Sequence, residues 1–175
     1  LHYRNKSQYP VAADGSVGFY KARSHQVIPV ERCRIQKPQA DAAAQALRTY
    51  LRLYGVSCYD EKTRRGLVRY LYVRTNGAGQ SLLCVLVNGK KLPHERELVD
   101  LLRQAVPEAV GVVLGVNTRP TGAVLGQEYR TLWGADVLTD TLCGLTFRLS
   151  VPSFYQVNRE MAEVLYRRAV EFAGL

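Results

Sequence analysis

Residues 67–87 read LVRYLYVRTNGAGQSLLCVLV, and they determine the fold class that we predict for the chain. Valine, leucine and tyrosine dominate Leu67 to Thr75, which predicts a β-strand that ends at Asn76-Gly77. Ser81 to Val87 is almost entirely apolar, which predicts a central strand that is buried on both faces. The glycine-rich connection Asn76-Gly77-Ala78-Gly79 favours a hairpin turn over a nucleotide-binding loop.

Two amphipathic helices and several further strands are predicted around this hairpin. Apolar residues recur at three- and four-residue spacing over 40–54 and 95–106, and a third helix begins after Asn158, a good N-cap. The remaining strands are predicted over Tyr9–Val11, 17–20, 25–30, 110–116, 129–133, 137–142 and 145–151, with the first two forming a hairpin. Together these elements predict an α+β fold with a mainly antiparallel sheet and helices on one face.

The first part of the chain is strongly basic. The 175 residues carry 24 Lys and Arg against 15 Asp and Glu, a net charge of +9. Residues 1–74 hold fourteen of the cations and five of the anions, whereas residues 75–175 hold ten of each. Eighteen of the cations are arginine, whose planar group suits bidentate phosphate contacts. This distribution favours a polyanion such as nucleic acid as partner, with a solvated basic surface as the alternative.

Several classes of function are disfavoured by the motifs that the sequence lacks. No apolar run approaches the roughly 18–20 residues of a membrane span, and no secretory signal pattern opens the chain. The four cysteines are scattered without a CxxC pair, which predicts reduced thiols in the cytoplasm. No phosphate-binding glycine loop, HExxH pair or serine nucleophile elbow is present, so the pattern by itself identifies no active site.

Three stretches resemble the RNA uracil-5-methyltransferases, S-adenosylmethionine-dependent enzymes that make 5-methyluridine in 23S rRNA or tRNA. Residues 3–11 read YRNKSQYPV, and residues 18–25 read GFYKARSH, which VERCRI over 30–35 continues. The third stretch, SFYQVN over 153–158, is similar to the FxQVN motif that introduces the methyltransferase domain of these enzymes. The order and spacing are closest to the bacterial 23S rRNA branch of the family.

This resemblance implies a domain organisation. In such enzymes an N-terminal TRAM-type RNA-binding barrel precedes a central domain and a C-terminal Rossmann-like catalytic domain. Residues 1–151 are then the central, RNA-facing domain, and residues 152–175 are the first helix of a truncated methyltransferase domain. The chain starts at Leu1 without an initiator Met, so we expect a fragment. We expect it to be inactive alone, because the cofactor loop, the catalytic cysteine and the general base would follow Leu175.

Two residues receive individual roles from the resemblance. Gln156 matches the position whose side chain contacts S-adenosylmethionine, and a carboxamide can both donate to and accept from that cofactor. Its alternative role is local hydrogen bonding near a helix N-terminus. Cys33 matches the fourth cysteine ligand of a [4Fe-4S] cluster in those members that carry one. The other three ligands would precede Leu1, and the alternative is a small residue at a strand end.

The same motifs supply candidates for contact with 23S ribosomal RNA. The candidates for phosphate binding are basic residues within the motifs, namely Arg4, Lys6, Lys21 and Arg23. Phe154 and Tyr155 would stack on a base, and packing in the hinge between the two domains is the alternative. The competing function for the whole chain is a stand-alone RNA-binding or assembly module without catalysis. A structural domain without RNA affinity is a third possibility.

Overall fold

The computed structural model describes residues 1–174 and shows an α+β architecture. The elements follow one another as β1 (Lys6–Pro10), β2 (Gly18–Tyr20), β3 (Val27–Pro29), α1 (Pro38–Tyr54), β4 (Val68–Thr75), β5 (Ser81–Val87), α2 (Glu95–Ala105), β6 (Ala109–Val116), β7 (Glu128–Gly134), β8 (Val137–Leu142), β9 (Leu145–Ser150) and α3 (Arg159–Ala173). No helix among residues 1–174 is long and apolar enough to cross a membrane.

A five-stranded sheet with the order β1-β4-β5-β6-β7 organises the molecule. Strand β5 lies at its centre, as its apolar sequence predicts, and every one of its residues is buried. Three of the four neighbouring pairs are antiparallel, so the prediction of a mainly antiparallel sheet is confirmed. Strands β5 and β6 are parallel, because the intervening α2 returns the chain to the end of the sheet at which β5 begins.

The two faces of the sheet are covered by different elements. Alternate residues of β4 and β5, such as Leu71 and Val85, pack with the apolar faces of α1 and α2. The intervening residues, such as Tyr72 and Cys84, pack against the β8–β9 hairpin. Helices α1 and α2 therefore lie on one face, as expected, and the second face is closed by strands.

The predicted hairpin at the start of the chain is confirmed only next to its turn, and its strands pair elsewhere. Strand β1 pairs with β4, and β2 pairs with β3 in a separate two-stranded sheet. The two expected partners share only an isolated bridge between Val11 and Val17. The eight-residue β4 offers β1 a continuous edge, and pairing there buries the Tyr9 ring completely. The free energy gained by burying this apolar surface exceeds the entropic advantage of the shorter loop in a local hairpin.

Helix α3 projects from this body with its apolar side chains largely exposed. Asn158 caps it as predicted, with its side chain accepting from the Met161 amide. Only Ala162 is buried, whereas Leu165 is 61% and Phe172 is 88% exposed. The apolar stripe of α3 is thus largely exposed within residues 1–174.

Candidate functional site

The segment 153–158 crosses from the β8–β9 hairpin to α3, and Arg74 fixes its start. Arg74 is 1% exposed at the end of β4, on the face that the hairpin covers. Its Nη2 donates to the carbonyl of Ser153 at 2.5 Å, and its Nε donates to the hydroxyl of Tyr72 at 2.7 Å. A buried arginine therefore holds the backbone at which the SFYQVN motif begins.

Asn5 fixes the centre of the same segment. The Asn5 side-chain amide donates to the carbonyl of Gln156 at 2.9 Å, and its backbone N–H donates to the carbonyl of Val157 at 2.9 Å. The Asn5 carbonyl accepts from the Thr75 amide at 2.9 Å, which anchors Asn5 to the end of β4. The first and third family-like motifs, which are far apart in sequence, thus meet here. We call the contact between Asn5, the end of β4 and segment 153–158 the joint.

The backbone carbonyl of Gln156 is hydrogen-bonded, whereas its side chain is not. The residue is partly exposed, and its carboxamide makes no hydrogen bond within residues 1–174. It lies just before the N-terminus of α3, where unpaired backbone N–H groups give a partial positive charge. A carboxamide on a fixed backbone beside a helix N-terminus can bind the carboxylate or amino group of a small polar ligand.

Asp140 is the buried centre of this joint, and the motif comparison did not find it. Its residue is 6% exposed, and its carboxylate accepts from the Tyr155 hydroxyl at 3.0 Å and from the Gly77 amide at 3.0 Å. Arg159, the first residue of α3, places Nε 3.5 Å from the same carboxylate. Asp140 thereby ties the β4–β5 turn and the start of α3 to one group. Leu138 and Leu142, its neighbours at period two, are also buried and could have signalled the inward position.

The two aromatic candidates occupy different environments. Phe154 is 81% exposed, so its ring is open to a stacking partner. Tyr155 is 7% exposed, and its ring lies 5.8 Å from that of Phe147. Burial, followed by the hydrogen bond to Asp140, raises the pKa of Tyr155 to about 12. This favours the packing alternative for Tyr155, whereas the predicted stacking role of Phe154 stays open.

The basic candidates are divided between two regions. Arg4 and Lys6 flank Asn5 at the joint and are partly exposed. Burial, then the charges of Arg74 and Arg4, lower the pKa of Lys6, as expected for a crowded cationic group. Lys21 and Arg23 lie in the exposed turn between β2 and β3, which is separate from the joint.

Cys33 lies between β3 and α1 and is partly exposed. Its backbone N–H donates to one carboxylate oxygen of Asp41 at 2.9 Å, and the other oxygen accepts from the Tyr9 hydroxyl at 2.9 Å. These bonds fix the backbone around the cysteine. Residues 1–174 contain no group of three or more His, Cys, Asp or Glu side chains arranged to hold a metal ion. This part of the chain therefore presents Cys33 as a single thiol without further ligands.

Relatives of the chain are proteins named as RNA methyltransferases. It is 42% identical over its whole length to one from Lactococcus lactis subsp. lactis, and 36% identical over 99% of its length to one from Halalkalibacterium halodurans. Another from Listeria innocua is 39% identical over 99% of the chain. In each case the match covers 39% of the relative, so the chain spans about two fifths of these proteins.

The fold is also that of a solved methyltransferase structure. The crystal structure of Pyrococcus abyssi tRNA (uracil-54, C5)-methyltransferase, in complex with S-adenosyl-L-homocysteine, matches with a TM-score of 0.80 and 17% identity. The match covers 97% of this chain and 41% of that one. No protein-family model matches the chain. The relationship to RNA methyltransferases that the three motifs indicate is nevertheless confirmed, since the whole chain is homologous to a segment of bacterial proteins named RNA methyltransferases.

Proposed function

We propose that the chain is the central part of an RNA uracil-5-methyltransferase that uses S-adenosylmethionine and acts on 23S rRNA in the cytoplasm. Residues 1–151 are its RNA-facing domain, and residues 152–175 begin its methyltransferase domain. The observation that carries the proposal is the joint at 153–158, where Arg74 and Asn5 hold the backbone and leave the Gln156 carboxamide free. The homology of the whole chain to segments of proteins named RNA methyltransferases supports the proposal.

Gln156 is the residue of this chain that would contact the cofactor. Its carboxamide can accept from the ammonium group or donate to the carboxylate of the methionine portion of the cofactor. Bound S-adenosylmethionine supplies the methyl group. The part played by this chain is to hold one binding group in place, because the hydrogen bonds from Asn5 remove the backbone freedom that binding would otherwise have to restrict.

RNA contact would come from two groups of residues. Arg4 and Lys6 lie beside the joint, and the exposed ring of Phe154 adds a surface on which a base can stack. Lys21 and Arg23, on the β2–β3 turn, would bind phosphates at a distance from it. The buried Tyr155 supports the backbone beneath Phe154.

An iron-sulfur cluster at Cys33 would need further ligands from outside residues 1–174. A [4Fe-4S] cluster is held by four cysteine thiolates, and residues 1–174 offer no cluster of ligands around Cys33. Any such site would need three thiolates from another segment, with Cys33 as the fourth. Iron analysis and visible absorbance of the anaerobically purified full-length protein test this role. Iron-free protein with intact cysteines would exclude it.

The coding sequence beyond Leu175 provides the first test. We expect a glycine-rich cofactor loop after the next strand and, further on, a cysteine and a glutamate for the chemistry. In uracil-5 methylation a cysteine thiolate adds to C6 and C5 takes the methyl group; removal of the C5 proton by a base then expels the thiolate from C6 and restores the C5–C6 double bond. If these residues are absent, the remaining function is that of an RNA-binding or assembly module. The positive charge of the first 74 residues is consistent with that function as well.

Methyl transfer by the full-length protein provides the second test. Transfer of tritium-labelled methyl groups to 23S rRNA and to tRNA transcripts would distinguish the two substrates. We expect Gln156→Ala to raise the KM for S-adenosylmethionine, since it removes polar contacts to the cofactor. Gln127→Ala, an exposed glutamine outside the joint, is the matched control. Unchanged cofactor affinity in Gln156→Ala would exclude the assigned contact.

A further inference from the structure

A cleft of about 600 Å³ lies at the opposite end of β4 from the joint. We call it the tyrosine cleft: Tyr20, His25, Tyr59, Glu61, Arg69 and Tyr70 form its sides. The β2–β3 hairpin supplies one wall, the loop between α1 and β4 supplies another, and the first residues of β4 form the floor. Its size falls within the roughly 300–1,000 Å³ of small-molecule sites, so it can admit one nucleotide.

A hydrogen-bonded network holds the exposed wall of the tyrosine cleft. The Tyr20 hydroxyl lies 3.1 Å from that of Tyr70 and donates to Glu61 at 3.3 Å. The second carboxylate oxygen of Glu61 lies 2.6 Å from Nδ1 of His25. The Tyr20 and His25 rings are 5.5 Å apart and are inclined at 51°, and both residues are exposed. Two flat rings thus lie at the surface, each with part of its area open to solvent.

Arg69 fixes the floor of the cleft. It is 3% exposed and donates to three carbonyls of one loop, those of Asn117, Arg119 and Thr121, at 2.7–3.0 Å. Its guanidinium carbon also lies 4.3 Å from the centre of the Tyr59 ring. Because the group is bonded to backbone and stacked on a ring, the floor is rigid, and its positive charge has no carboxylate partner among these contacts.

The rim of the cleft is positively charged. Lys62 lines it, and Arg64 and Arg65 follow in the same exposed loop. Lys21 and Arg23 extend from the turn next to Tyr20 on the other side. Two of the acidic residues nearby, Asp14 and Asp60, cap the backbone amides of Ser16 and Lys62, respectively. These two carboxylates and that of Glu61 make three anions against the five cations of the two loops, so the surroundings of the cleft carry a net positive charge.

From these features we infer that the tyrosine cleft binds one base of single-stranded RNA, stacked on the Tyr20 ring with His25 at its edge, and with its flanking phosphates on the cationic rim. Flat rings with adjacent cations suit unpaired nucleotides, because every base offers a face and every phosphate a charge. The inference rests on the proposed RNA-binding function. Arg69 and Arg74 are five residues apart on β4, which spans about 17 Å at about 3.3 Å per residue. The bound base is thus distinct from one held at the joint.

Binding of a fluorescein-labelled single-stranded RNA of about twelve nucleotides to the 175-residue chain tests the inference. We expect Tyr20→Ala to weaken binding by about 5- to 100-fold, and His25→Ala by a smaller factor. Tyr20→Phe keeps the ring and should retain most of the affinity. Tyr166→Ala is the matched control, since Tyr166 is 40% exposed against 38% for Tyr20 and lies on α3. Equal affinities for Tyr20→Ala and Tyr166→Ala would refute the inference.

Photocrosslinking of the wild-type chain removes any dependence on folding of the variants. RNA that contains 4-thiouridine should crosslink to peptides that carry Tyr20, His25 or Tyr59. Crosslinks confined to other surfaces would overturn the inference, even if Tyr20→Ala binds weakly. Lys62→Ala should also reduce the salt dependence of binding by about one phosphate contact, whereas Lys91→Ala, an exposed lysine outside the cleft, should not.

The two proposals can fail separately. If the full-length protein transfers methyl groups to RNA while the cleft variants bind RNA normally, the cleft inference fails and the enzyme proposal stands. If the chain binds RNA through the cleft but the full-length protein transfers no methyl group, the enzyme proposal fails. In that case the cleft remains the site of an RNA-binding module.

Discussion

Replacement of Arg74 by methionine should destabilise the chain strongly. The change preserves an unbranched apolar stem and removes two hydrogen bonds of a charged group, to Ser153 and Tyr72. Hydrogen bonds to charged groups are each worth about 1.5–3 kcal/mol, and the Ser153 carbonyl would lose its buried donor. Burial lowers the pKa of Lys6 and the charge of Arg74 lowers it further, and relief of this repulsion between Arg74 and Lys6 offsets a small part of the loss. We expect a net reduction in the free energy of unfolding of about 3 kcal/mol.

Urea denaturation followed by circular dichroism measures this loss. For a domain of this size, 1 kcal/mol corresponds to about 2–4 °C, so the melting temperature of Arg74→Met should fall by about 6–12 °C. Arg130→Met is the matched control, because Arg130 is half-exposed and bonded only to Glu95 on the surface. Such exposed pairs contribute at most about 1 kcal/mol.

A second readout connects Arg74 with the joint. Hydrogen exchange at the Asn5 amide, which donates to the Val157 carbonyl, should accelerate in Arg74→Met more than exchange within α1. If the unfolding free energies of Arg74→Met and Arg130→Met agree within about 0.5 kcal/mol, the buried arginine does not hold the segment, and the account of the joint is incorrect.

Three further predictions concern other parts of the fold. Gly18→Ala should disrupt the β2–β3 hairpin and lower the melting temperature, because an added Cβ would lie 1.8 Å from a carbonyl oxygen of β3. Cys143, which is exposed, should react with Ellman's reagent in the folded chain, whereas Cys84, whose pKa is raised by complete burial, should react only after unfolding. The raised pKa of Tyr155 means that its contribution to stability is present below pH 10 and is lost as the pH rises toward 12. Tyr155→Phe should therefore be less stable than wild type by about 1 kcal/mol at neutral pH, through the lost bond to Asp140, and should lose less stability in alkaline urea titrations.

Local patterns predicted the elements of the fold better than their pairing. The β4–β5 hairpin follows from two apolar runs and a short turn, and α1 and α2 follow from their spacing and flanking residues. The pairing of β1 with β4 joins residues that are 60–68 positions apart, so no local signal specifies it. The sequence patterns of the strands also do not indicate that β5 and β6 are parallel, although a helix between two strands favours that arrangement.

The motifs located the joint but not the interactions that maintain it. Asn5 was part of a quoted motif, yet its role in holding Gln156 depends on a contact across 151 positions. Asp140 carries no motif, and an aspartate in a strand ordinarily indicates an exposed position. Only its register with Leu138 and Leu142 places it inward. Buried polar groups of this kind become evident only when the elements that surround them are assembled.

The basic excess of the first 74 residues has two origins that composition cannot separate. Arg69 and Arg74 are buried and bond to backbone carbonyls, and Arg48 donates to the carbonyls of Val17 and Val30. These arginines replace the backbone partners that irregular segments lack, so part of the charge attributed to a polyanion is structural. Of the eight exposed cations in residues 1–74, five lie in the loops beside the tyrosine cleft, so RNA affinity at that rim should depend on salt. Because both buried arginines belong to one paired strand, the cleft and the joint are held at a fixed separation. An RNA that reaches both must then present two unpaired nucleotides at that spacing.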